Sequence, residues 1–146
     1  MTHRTDFHDT RILRTTGLSI LIDNGEIREI SESFHQGAVS RALVGGSWAL
    51  YTSDNPEDAD KILDFAVTLA GRTHLKSPRA DIELASVEPS VVHDLPKVEK
   101  DPGDISIEEK VDLLLEIHKR AKLPDITSTS VVYSGSLVNV EYFNSE

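Results

Sequence analysis

Cysteine is missing from the sequence altogether, which excludes disulfides, thiolate metal sites, iron–sulfur clusters and cysteine nucleophiles. No apolar run approaches the roughly 18 residues that a membrane-spanning helix requires. The opening residues, Met1-Thr-His-Arg-Thr-Asp-Phe-His-Asp9, hold no apolar stretch of the kind that marks a secretion signal. A cytoplasmic protein with no membrane partner is therefore expected. Basic charge is also scarce: 15 Lys and Arg stand against 25 Asp and Glu, for a net charge of −10 and a pI near 5.0. No three basic residues are adjacent, so the counterion-displacing face of a nucleic-acid binder is not in evidence. Catalytic signatures are missing as well. There is no HExxH or HExxxH helix to hold a metal beside a carboxylate, no GxSxG elbow, no GxxxxGK[ST] loop and no GxGxxG after a strand.

What remains is an ordinary globular composition, with 38% hydrophobic and 27% charged residues in 146, long enough to bury a core without staples. Residues 1–16 are polar and read as a tail or a short first element. From Gly17 the texture becomes β-branched and apolar through Asp23. Asn24-Gly25 follows, the strongest two-residue hairpin signal because a type I′ turn requires positive φ at both positions. A return strand is expected over Glu26 to Phe34, with Ile27 and Ile30 out of strict alternation, so that a bulge or an early end is anticipated. Ala38 to Val44 and Ser47 to Thr52 predict a second hairpin around Gly45-Gly46.

Asn55, Pro56, Glu57 and Asp58 then open a helix whose apolar positions, Ala59, Ile62, Leu63, Ala66, Leu69 and Ala70, recur at helical spacing. Asp81 to Val87 is expected as a further strand. Glu88 to Asp104, with Pro89, Pro96 and Pro102, reads as an exposed crossing loop. Ser106-Ile-Glu-Glu109 is a capping box that starts a second helix with the stripe Val111, Leu114, Leu115, His118 and Ala121. Two last strands are expected, Ile126 to Tyr133 and Leu137 to Phe143. The order ββββ-α-β-α-ββ predicts an α+β fold, a mainly antiparallel sheet carrying two amphipathic helices, with residues 17–146 forming one domain. An apolar strand at the very end of the chain leaves an edge that natural domains cover, so either a partner chain or a continuation of the polypeptide is expected there.

Few residues suggest chemistry. His3, Asp6, His8 and Asp9 are close in sequence and are a conceivable chelating group, though a polar tail is the commoner explanation. His118 falls on the inner side of its helix, where a lone histidine is more often a hydrogen-bonded structural residue than a catalyst. Arg41 lies mid-strand with Trp48 on the neighbouring strand. Its guanidinium is placed to stack on the indole or to clamp a carboxylate, and a structural ion pair is the simpler of its roles. Arg41 and Trp48 are the candidate peptide- or interface-contacting residues; no catalytic or metal-ligating residue is assigned.

The stretch Gly37-Ala-Val-Ser-Arg41-Ala-Leu-Val-Gly-Gly46-Ser-Trp48-Ala-Leu-Tyr-Thr-Ser53 resembles the G-x-x-x-R-x-x-x-x-G-x-W-G-F-x-S/T-S/T segment of the TldD/PmbA family, intracellular metallopeptidases also called modulators of DNA gyrase. The approach from Asn24-Gly25 to Ser33, the alanine-rich helix, the Ile105 to Leu115 opening, Tyr133 and the closing Phe143-Asn-Ser-Glu146 are similar in the same order. Ala49 and Leu50 depart from the usual Gly-Phe after the tryptophan. The resemblance implies an N-terminal, non-catalytic domain of a peptidase that acts on unfolded peptides. It further implies a second TldD/PmbA-type subunit and an extended peptide as partners. The family's metal-binding HExxxH helix has no counterpart here, so no cofactor is expected in this chain and zinc is expected in a downstream domain. The alternative is a free-standing interaction module without enzymatic activity.

Overall fold

A computed structural model describes residues 5–77, 80, 82–95 and 97–146. The first strand, β1 (Phe7–Asp23), is 17 residues long and starts well before Gly17. It turns at Asn24-Gly25, where φ is +52° and +84°, the pair of positive values that a type I′ hairpin demands. The return strand β2 (Glu26–Val44) runs unbroken for 19 residues. Gly45 and Gly46, again both at positive φ, lead into β3 (Ser47–Ser53), which pairs antiparallel with β2 from Ala38↔Ser53 to Val44↔Ser47. The last strand, β4 (Ser130–Asn144), completes a sheet of order β3-β2-β1-β4. Backbone bonds from Asn24 to Thr129 and from Ser145 to His8 fix β4 antiparallel to β1.

Between β3 and β4 come the two helices. Asn55 caps a short 3-10 turn at Pro56–Asp58, its side chain accepting from the Glu57 N–H, and α1 (Ala59–Lys76) follows. The helix α2 (Ile107–Ala121) begins with both halves of the capping box formed, Glu109 N–H to Ser106 Oγ and Ser106 N–H to Glu109 Oε2, each 3.1 Å. No helix among the described residues is long and apolar enough to cross a membrane.

The α+β class and the mainly antiparallel sheet with two helices are as the sequence predicts, but the strands are fewer and longer. The expected break between Phe34 and Ala38 does not occur, because His35-Gln36-Gly37 stays extended and continues the ladder. The two expected terminal strands are one: Ser134-Gly135-Ser136 lies within β4, and Ile126–Thr129 precedes it outside the strand. The expected strand at Asp81 to Val87 is not formed in its described part, residues 82–87. Ile82, Leu84 and Val87 are all exposed, and an alternating pattern without a neighbouring strand has no ladder to join. Ala121 ends the α2 stripe exposed rather than buried. His3, Asp81 and Pro96 lie outside the described residues.

Two compact units divide the chain. The first consists of Met1–Arg14, His35–Val92 and Val138–Glu146. In it α1 packs on β3 and its neighbour through small side chains, Ala42, Val44, Ala49, Ala66 and Ala70, with Val67 beside them. Side chains this short let helix and sheet approach closely. The second consists of Thr15–Phe34 and His93–Leu137. Its core is Ile20, Ile22 and Leu114, flanked by Leu18, Val111, Leu115 and Tyr133. Burial of Leu114 alone contributes about 2 kcal/mol.

Candidate functional site

Alternation along β2 sorts the first unit into two faces. Ala38, Ser40, Ala42 and Val44 are buried, and the last two belong to the cluster with α1. Val39, Arg41 and Leu43 point the other way. In register, Arg41 stands opposite Leu50 and Leu43 opposite Trp48, and both Trp48 and Leu50 are exposed. Leu43, on the same side, is fully buried, so this face is open at Trp48 and Leu50 and closed at Leu43.

Arg41 performs both of the actions open to it. Its Nε donates to Asp9 Oδ1 at 3.0 Å and Oδ2 at 3.1 Å, and a terminal nitrogen also donates to Oδ2. Its Cζ lies 5.6 Å from the centre of the Trp48 ring, within range of a cation–π contact. Phe7 meets the same indole edge-on, centroids 5.9 Å apart. Asp9 is 1% exposed, whereas the Arg41 side chain remains 42% exposed. The Asp9 carboxylate therefore spends its charge on the guanidinium, and the guanidinium keeps a face toward solvent. Hydrogen bonding to Asp9 holds the Arg41 guanidinium above its ordinary range, against the opposing effect of burial.

The same side of β1 carries Arg11, whose Cζ sits 5.2 Å over the ring of Tyr142 in β4. Across the four strands the open face thus reads Trp48, Arg41, Asp9 with Arg11, Tyr142. The opposite side of the same residues is structural: Thr10 and Ser40 share a buried hydroxyl–hydroxyl bond of 2.8 Å, and Arg14 pairs with Glu141.

The acidic and histidine-bearing start of the chain does not gather. Asp6 accepts from the Gly45 N–H at 2.6 Å, Asp9 is engaged by Arg41, and His8 lies 3.3 Å from the Thr5 hydroxyl. Among the described residues no three His, Asp or Glu side chains converge as metal donors.

Each unit also fastens a hairpin turn with a histidine from the last turn of a helix. In the first, His74 Nδ1 donates to the Gly45 carbonyl at 2.7 Å. A Cβ on Gly45 would collide with the same ring. In the second, the ring of His118, 7% exposed, lies against Gly25, where a Cβ would come within 2.9 Å of Nε2. His118 Nδ1 is 2.6 Å from Thr129 Oγ1, and the Thr129 N–H donates to Asn24 Oδ1. A shallow cavity of about 200 Å³ opens beside it, lined by Asn24, Lys122 and residues 126–129. His118 is thus a hydrogen-bonded packing residue, as its position on the helix suggests.

Sequence reasoning singled out Arg41 and Trp48, and the fold brings them into contact. It did not find Asp9 as the partner of Arg41, nor the Arg11–Tyr142 pair. The only available signal was the period-two placement of Phe7, Asp9, Arg11 and Leu13 in a stretch read as a tail.

Comparison with known proteins places these elements. Residues 9–70 match the family model described as PmbA/TldA metallopeptidase domain 1, and residues 100–146 match the PmbA/TldA metallopeptidase central domain. A metalloprotease of Methanothermobacter thermautotrophicus is 27% identical over 143 residues, covering 98% of this chain and 30% of the relative. Metalloprotease MJ0996 of Methanocaldococcus jannaschii is 29% identical over 132 residues, 88% of this chain and 29% of the relative. The chain therefore spans under a third of the length of the curated relatives it matches. Among solved structures, TM0727 of Thermotoga maritima, a DNA-gyrase modulator by name, superposes with a TM-score of 0.70 at 16% identity, over 95% of this chain and 31% of that one. TldE of Thermococcus kodakarensis gives 0.56 at 20% identity, over 97% and 32%. At these identities the structural likeness speaks for the fold.

Proposed function

Because the chain belongs to the PmbA/TldD metallopeptidase family, we infer that it is a non-catalytic, peptide-handling portion of a zinc-type peptidase. One observation carries this reading. β4 is an outer strand of the sheet, and Leu137, Val138, Val140, Tyr142 and Phe143 are all exposed on it. An outer strand presents unpaired N–H and C=O groups, and an extended peptide adds to such an edge through main-chain hydrogen bonds. Apolar side chains on both of its faces favour an unfolded segment over water.

The role proposed is to hold extended peptide, and to help a second PmbA/TldD-type subunit associate, while hydrolysis proceeds elsewhere. Zinc is part of the reading for the parent protein, but the described residues offer no donor set that fits it, and no hydrolytic step is assigned to them. A cytoplasmic location goes with the same reading. The test is an assay of these 146 residues with added zinc on fluorogenic extended peptides, joined to amide exchange. No turnover is expected, together with slowed exchange at residues 137–143 when peptide is present. Zinc-dependent turnover by the chain alone would overturn the non-catalytic assignment; unchanged exchange would overturn strand addition.

A further inference from the structure

The open face of the first unit has a chemistry that edge hydrogen bonding does not use. It is aromatic and aliphatic, with Trp48, Leu50, Leu13 and Tyr142 exposed on it. Its charges are uneven. Arg41 is matched by Asp9. Arg11, which is exposed, lies over Tyr142 and has no carboxylate within ion-pair distance among the described residues. In a chain of net charge −10, this face carries a surplus positive charge set among apolar rings.

The geometry points to a docking surface for an extended peptide segment that carries a carboxylate beside an aliphatic or aromatic side chain. The inference rests on the peptide-handling reading and adds to it the chemical class of the segment. A carboxylate would pair with the exposed Arg11 guanidinium, which has no ion-pair partner among the described residues. An apolar side chain would lie on Trp48 and Leu50. Leu50 stands level with Arg41 and Asp9, whereas Arg11 is two residues further along β1, so the two subsites are separated by two strand spacings across the sheet and about 7 Å along it, or roughly 12 Å. An extended chain turns alternate residues to one side, and four positions on that side span about 13 Å. The preferred motif is therefore an acidic and an apolar residue four positions apart. Arg41, clamped by Asp9, holds the indole of the apolar subsite rather than supplying the charge.

Trp48 is the single tryptophan in the sequence, so its fluorescence reports on this face alone. The probe is a blocked five-residue peptide with one leucine and one glutamate four positions apart, at its two ends, and serine between them. It is compared with versions carrying glutamine or lysine in place of the glutamate. Saturable change in Trp48 emission is expected with the glutamate peptide, about tenfold weaker with glutamine, and absent with lysine. Raising the salt concentration should weaken the first titration. Arg11→Gln should reduce glutamate-peptide affinity to that of the glutamine version, and Leu50→Glu, at an exposed site, should abolish it. Circular dichroism confirms that both variants fold.

Calorimetry with the same peptides separates the possible failures. Binding seen by heat without a Trp48 response, or equal affinity for all three peptides, sinks the docking surface and leaves peptide handling standing. No binding by either method sinks both.

Discussion

Asp9 is a buried carboxylate whose ion-pair partner among the described residues is the partly exposed Arg41, and this asymmetry sets what substitution does at the pair. Removing the guanidinium leaves an ionised group in a site that water barely reaches, which costs more than the pair itself contributes. Because Arg41 is still partly solvated, the cost is discounted from that of a fully interior pair. Arg41→Ala is expected to destabilise the chain by about 2–3 kcal/mol, read as a lower urea midpoint with an unchanged slope. A midpoint within experimental error of the parent would show that Asp9 is solvated once its partner is gone. Arg41 and Trp48 could be nominated from sequence because they are two residues of unusual type on strands that a glycine pair forces together. Asp9 could not, since a carboxylate in a polar N-terminal stretch looks like any other until the strand it belongs to is paired.

At the scale of the element, turns and helix starts were legible and strand lengths were not. Asn24-Gly25, Gly45-Gly46, Asn55-Pro56 and the Ser106 capping box act through backbone dihedrals and hydrogen bonds within a few residues, so their residues specify them locally. Where a strand ends depends on the partner beside it. Gly37 and Gly135 read as breaks, yet both sit inside continuous strands, and the alternation around Ile82 and Leu84 forms no strand because none of the described strands pairs with it. The outer strand β4 supplies the prediction at this scale. Its apolar, uncovered length favours pairing with another copy, and a charge on such an edge opposes it. Val140→Lys is expected to shift sedimenting species toward monomer at concentrations where the parent self-associates. Equal association of parent and variant would mean that β4 is not the contacting edge.

The molecule as a whole is acidic, and its charge opposes the tendency of its exposed apolar strand to associate. As pH falls from 7.5 toward the pI near 5.0, the net negative charge shrinks toward zero and the repulsion fades. Light scattering should rise several-fold over that interval and return when the pH is restored; a flat profile would show that repulsion is not what keeps the copies apart. Charge is also unevenly spread: the chain carries −10 overall, while the open sheet face of the first unit holds Arg11 without an ion-pair partner among the described residues. Composition, turn chemistry, the two amphipathic helices, the α+β class and the family resemblance were properties of the sequence itself, because each depends on residues that are near one another or on sums over the chain. Tertiary structure alone decided that β1 begins at Phe7, that Asp9 meets Arg41 across 32 positions, and that Arg11 meets Tyr142. Long-range pairing is selected by the free energy of the assembled sheet, and no local preference encodes it.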